Sequence, residues 1–311
     1  MGFTSGAKIL ADIIDEIAAG LIASTGGYWT NADTTWNTTV KTNNNARRAL
    51  KYTNGSEVMY MTLEALNSIN QNTYYSGQWR YTRGLRIGFA ASWDSDTHVP
   101  GSTTYRTYIQ FEGRYQYEVA TDLATLQVTY YLWIDATGFV ITGKPEPNAT
   151  DDRQGSFFAV VERNANKEYS DGFSNFFCYC NCNFVNGTAN GTPLYMSPFM
   201  RLFTYQNTDY NQEGSIPIDV AGMSFPLVSG YYAFKSNGNG KVYYIKPIIC
   251  NSADRLTPIF QSELFFAYSE GQGLVDGDVI AIEGQTTKYL CKALNSPDST
   301  SRLPYAMKYV A

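Results

Sequence analysis

From Ser5 to Ser24 the chain reads SGAKILADIIDEIAAGLIAS, the one long helical pattern in its 311 residues. Ile9, Leu10, Ile13, Ile14, Ile17, Leu21 and Ile22 fall on one side of a 3.6-residue period, with Lys8, Asp12, Asp15 and Glu16 on the other. The pattern predicts a helix opened by Thr4 or Ser5, whose hydroxyl accepts from the first free amides. Gly26-Gly27 would close it in a left-handed conformation. A lone amphipathic helix cannot bury its own stripe, so this one must dock on a sheet of the same chain or on another chain.

Almost everything after it reads as strand and turn. Val58, Tyr60 and Thr62 alternate with Met59, Met61 and Leu63 just after an Asn54-Gly55 turn signal. Tyr81 to Trp93 is a strand in which Gly84 and Gly88 mark bulges or close approaches, and Tyr105 to Glu112 follows it. Leu126 to Gly143 is the clearest hairpin, turning at Asp135-Ala136-Thr137-Gly138. Further strands are Gly155 to Arg163, Phe173 to Phe184, Ser197 to Tyr205, Gln261 to Tyr268 and Leu303 to Val310. Tyr231 to Cys250 reads as a second hairpin, and Val279 to Leu294 as a third around Gly284-Gln285. Many short strands at close spacing predict a mainly β protein. The expected architecture is a sandwich or barrel-like body of antiparallel strands with one N-terminal amphipathic helix. Residues 1–27 form the helical segment and 28–311 the β-rich body, with a weak boundary near 144–154.

Charge and cysteine narrow the function. Charged residues are 16% of the chain and the net charge is −5, so nucleic-acid binding has little electrostatic support. No window approaches the roughly 20 apolar residues of a membrane span, so no membrane insertion is expected. Asp12, Asp15 and Glu16 break the apolar run a signal peptide needs, and synthesis without an export signal in a cytoplasm is expected. The five cysteines, an odd number, argue against a disulfide framework. The 25 tyrosines suit half-buried surfaces that touch neighbours.

His98 is the chain's single histidine, in Asp94-Ser95-Asp96-Thr97-His98. Two carboxylates and an imidazole at spacings of two could face a metal, but no fourth ligand accompanies them and the segment also reads as a polar turn. The turn is the stronger reading. One histidine also leaves little of the usual hydrolase machinery, and no nucleophile elbow, zinc helix or phosphate loop is present. Cys178, Cys180 and Cys182 share one face of a strand, yet lack zinc spacing and read better as small core residues. Gly273, Asp276, Gly277 and Asp278 look like part of a calcium loop without its later acidic ligand, hence a tight turn. No catalytic residue, cofactor site or metal site is therefore assigned.

The stretch GDVIAIEGQTTKYLCKALNSPDSTSRLPYAMKYV resembles virion structural proteins of tailed bacteriophages, especially tail, baseplate and neck components. KYTNGSEVMYMTLEAL and GLRIGFAASWDS share that likeness. The resemblance implies a non-enzymatic structural subunit located in the virion. Its partners would be copies of itself and other virion proteins, joined through β-rich surfaces. The helix stripe Ile9, Ile13, Ile14, Ile17 and Leu21 is the expected assembly contact. The alternative is a receptor- or glycan-binding β protein of the same particle, with its site in loops such as Tyr205 to Gly214. A third reading is a carboxylate-based polysaccharide hydrolase.

Overall fold

The computed structural model describes residues 2–36, 46–68, 80–115, 125–145, 156–163, 173–183, 199–204, 223–224, 244–245, 248–250, 258–268, 274–295 and 302–310. The loops expected at 148–154, 186–192 and 207–214 and most of the 231–250 hairpin lie outside the described residues. Within them the protein is mainly β, with antiparallel sheets and a single helix.

The chain opens with a strand. β1 (Phe3–Ile9) pairs antiparallel with β7 (Gln127–Asp135), from Phe3 opposite Trp133 to Ile9 opposite Gln127. The helix α1 (Leu10–Ile22) starts only after it, with Ile9 extended and no side-chain cap. The expected Thr4 or Ser5 start is corrected accordingly. A seven-residue ladder satisfies the backbone of Phe3–Ile9, whereas Gly6 in a helix interior would cost about 1 kcal/mol. At the other end Ala23 N donates to Ala19 O at 3.0 Å and Ser24 Oγ to Leu21 O at 2.6 Å. Gly26 and Gly27, at φ 98° and 64°, lie beyond that end and form the turn into β2 (Trp29–Asn31).

Three larger sheets form layers. The first runs β2, β3 (Arg47–Asn54), β4 (Glu57–Ser68), β5 (Arg80–Asp94), β6 (Val99–Tyr115). The middle one runs β1, β7, β8 (Gly138–Pro145), β9 (Ser156–Arg163), β10 (Phe173–Asn183), β11 (Phe199–Thr204). The third joins β13 (Tyr244–Ile245), β16 (Phe265–Tyr268), β19 (Arg302–Val310), β18 (Lys288–Asn295) and β17 (Val279–Ala281). A small sheet holds β12 (Met223–Ser224), β14 (Ile248–Cys250) and β15 (Pro258–Gln261). The strand expected over Gln261 to Tyr268 is thus split at Ser262–Leu264 between two sheets.

The middle sheet is covered on both sides. Val128, Tyr130, Leu132, Phe139, Ile141, Phe157 and Val161 share a core with Ile13, Ile14, Ile17 and Leu21 of α1. Leu50, Met61, Leu63 and Ile87 of the first sheet complete it. On the other side Trp133, Val140, Phe158 and Val160 meet Phe265, Leu290, Tyr305 and Met307. Double coverage explains why β8 and β9 read as continuous apolar runs, while β7 alternates. At the β7–β8 turn Gly138 has φ 151°, and a Cβ there would stand 2.0 Å from Val161 O.

The polar side of α1 fastens it between sheets. Asp15 pairs with Arg48 of β3. Glu16 accepts from Tyr130 Oη of β7 and from Lys8 Nζ of β1, the latter at 2.8 Å.

Glu162 of β9 is buried between the middle and third layers. Its carboxylate accepts from Ser262 Oγ and from Glu263 N, both at 2.6 Å. Among the described residues no helix is long and apolar enough to cross a membrane.

Candidate functional site

Among the described residues, a lined cavity lies on the outer face of the β2–β6 sheet. Register fixes that face. Arg47, Glu64 and Arg86 stand in one row across β3, β4 and β5; Ala49, Thr62 and Gly88 in the next; Lys51, Tyr60 and Ala90 in the third. The alternate residues Leu50, Met59, Met61, Leu63, Ile87 and Phe89 point into the core. Ala49, Gly88 and Ala90 are small and buried, so the face is hollow in the middle.

The next residue on this face is Trp93. The β5–β6 register shifts between Ala90 and Ser92, after which Trp93 pairs with Pro100. Strict alternation would send Trp93 inward, yet beyond this shift, whose extra residue lies on β6, it lines the outer face beside Tyr60 and Thr62. Together with Trp36, Arg47, Glu64, Arg86 and His98 these residues line a cavity of about 190 Å³.

Asp33 holds this corner together. It follows β2 in a short turn, tied back by Ala32 N donating to Ala49 O at 2.9 Å. Its side chain is 1% exposed. Oδ1 accepts from Thr35 N (3.0 Å), Thr35 Oγ1 (3.0 Å) and Trp36 N (2.8 Å). Oδ2 accepts from Trp93 Nε1 at 3.0 Å and lies 2.7 Å from His98 Nδ1. Burial alone would push the Asp33 carboxyl up. The donors from His98, Trp36, Trp93 and Thr35 outweigh it and hold the group well below the usual carboxylate range. Asp33 is therefore ionised at neutral pH and can only accept, so His98 carries its proton on Nδ1 and presents Nε2 as the remaining ring nitrogen. His98 itself sits at φ 57°, a left-handed conformation costly for a non-glycine residue.

The two tryptophans meet edge to face, with ring centroids 5.1 Å apart. Trp36 is buried, and the Arg47 guanidinium lies over it at 4.6 Å from the ring centroid while Arg47 Nε donates to Trp36 O at 3.0 Å. Arg86 pairs with Glu64. Trp93 and Tyr60 remain half-buried and face the opening.

The expected sites fall as follows. Asp94 does not join His98 as a ligand; it caps its own turn, accepting from Asp96 N at 2.9 Å and Thr97 N at 3.2 Å. Among the described residues no group of three histidine, cysteine or carboxylate side chains is placed to hold a metal. Cys178 and Cys291 are buried core residues, on β10 and β18. Asp278 closes a tight turn, accepting from Val275 N at 2.8 Å while its carbonyl receives Cys291 N at 2.7 Å. Of the helix stripe, Ile13, Ile14, Ile17 and Leu21 are at most 1% exposed and Ile9 is partly buried. All five pack on this chain's own sheets. The Tyr205 to Gly214 loop lies outside the described residues.

Asp33, Trp36, Arg47 and Trp93 were not foreseen as a group. Asp33-Thr34-Thr35-Trp36 after a strand carries an Asx-turn signal, but nothing local ties it to a histidine 65 residues away. No known protein family, curated protein or solved structure matches the chain.

Proposed function

We propose that this protein is a non-enzymatic β subunit of a tailed-phage particle that holds a saccharide on the outer face of its β2–β6 sheet. One observation carries the binding half: the cavity pairs half-exposed aromatic rings, Trp93 and Tyr60, with a rim of Arg47, Glu64, Arg86, Thr62 and His98. Sugar rings present apolar C–H faces and a girdle of hydroxyls. A site for them needs an aromatic plane beside fixed polar groups, and rigid placement spares the cost of ordering. The volume of about 190 Å³ is below the roughly 300–1,000 Å³ of sites for drug-sized ligands, so one ring of a longer chain is the unit held.

The particle half is supported by the resemblance of its strand segments to virion proteins and by a surface of low charge. The third sheet also ends in a short exposed edge strand, β17, with Val275 and Val279 62% and 46% exposed. Such an edge offers backbone groups and apolar contact to another chain. The hydrolase reading has less support, because among the described residues Glu64 is the one carboxylate lining the cavity and it is paired with Arg86.

The test is a glycan array with the full chain, followed by titration of the hits. Trp93→Ala is expected to weaken binding about tenfold, some 1.4 kcal/mol, with the circular dichroism spectrum unchanged. An empty array, or equal affinity in Trp93→Ala, rejects the binding half. A chain that stays monomeric at high concentration and forms no ordered assembly by electron microscopy rejects the particle half.

A further inference from the structure

We infer that the saccharide held in this cavity carries a carboxylate and that Arg47 reads it; the inference rests on the saccharide reading above. Three charged side chains share the row across β3, β4 and β5, two cations and one anion. Glu64 is engaged by Arg86. Arg47 is held differently. Its Nε donates to Trp36 O at 3.0 Å, its Cζ sits over the Trp36 ring at 4.6 Å from the centroid, and among the described residues no carboxylate pairs with it.

The ring contact and the Nε bond together fix where the guanidinium points. What remains is the outer fork, Nη1 and Nη2, the edge that meets a planar two-oxygen anion with two parallel hydrogen bonds. Trp36 is itself fixed, because its amide is bound by the buried Asp33 and its ring is wedged on Trp93. Asp33 thus preorganises the cation from one side and presents His98 from the other. His98 and Trp93 line the same cavity, an imidazole for a ring hydroxyl and an indole for the sugar ring. A neutral sugar would use the ring face and leave the Arg47 fork on water. An acidic one completes it.

The experiment compares rings that differ only in charge. Oligogalacturonate, oligoglucuronate and sialyllactose, each with its methyl ester, are titrated into the full chain by calorimetry, alongside a sulfated oligosaccharide. The expected result is that at least one acid binds about tenfold tighter than its own ester, and that Arg47→Gln brings the ratio to about one. Arg47→Lys, which keeps the charge and loses the fork, should restore only part of it. Melting temperatures of both variants report on folding, and the acid-to-ester ratio of the unaltered chain needs no variant. Equal binding of acid and ester overturns the carboxylate inference and leaves the saccharide reading standing, as does a sulfated sugar that binds tighter than every carboxylate. Binding of none of these, with an empty glycan array, overturns both.

Discussion

Asp33 shows how one buried carboxylate can organise a surface. Five donors from four residues converge on its two oxygens. Their sum, more than any single bond, keeps it charged against the cost of burial. Replacement with an amide tests this directly. In Asp33→Asn one side of the group becomes a donor facing donors, either Trp93 Nε1 and His98 Nδ1 or the Thr35 and Trp36 amides. The expected outcome is a loss of about 2 kcal/mol in unfolding free energy by urea titration, with a change in tryptophan fluorescence of the folded state. A variant as stable as the parent would mean the carboxylate is incidental to the corner.

At the scale of the element, α1 is a wedge between sheets. Its apolar stripe fills the space between the first and middle layers, and Asp15 and Glu16 reach one sheet each. Ile17→Ala removes a side chain that is 0% exposed. It should cost about 3 kcal/mol of stability and leave oligomeric state unchanged by light scattering. A shift in oligomeric state at unchanged stability would return the stripe to the role of a contact between chains. The helix was legible because its period is local; so were the β7–β8 and β17–β18 hairpins, whose turn residues are explicit. Its first residues were misread because Phe3–Ile9 carries no helix-breaking residue other than Gly6, and the strand exists only through pairing with β7, over a hundred residues away. The cavity was hidden for a related reason. Trp93 lines the outer face where the β5–β6 register is irregular, and alternation in the sequence argues for the opposite.

For the whole molecule, Glu162 makes the contact between the middle and third layers sensitive to pH. Burial pushes its carboxyl up to about 8, beyond what the donors Ser262 and Glu263 N recover, and the negative charges of Asp135 and Glu263 add to the rise. Lys308 is the nearby cation, 3.1 Å from Asp135 rather than on Glu162. Because the folded value lies above the unfolded value of 4.5, the folded state keeps a proton that the unfolded chain releases. The stability from the neutral group is complete below about pH 4.5 and lost progressively as pH rises to about 8, at up to about 1.4 kcal/mol per pH unit. Glu162→Gln, which stays neutral, keeps one oxygen to accept from Glu263 N and turns an amide NH2 toward Ser262 Oγ, should lack this slope when urea midpoints are compared between pH 5 and 8. Parallel profiles for the two proteins would mean that the carboxylate is already charged in the folded state.

The layering also sets an order of events during synthesis. Trp133, Val140, Phe158 and Val160 leave the ribosome before the partners that cover them, Leu264 to Met307, are made. Until then one side of a nearly finished sheet is a wet apolar wall, open to chaperones or to misassembly with neighbouring nascent chains. A stop codon between Val160 and Leu264 would therefore release an adhesive polypeptide.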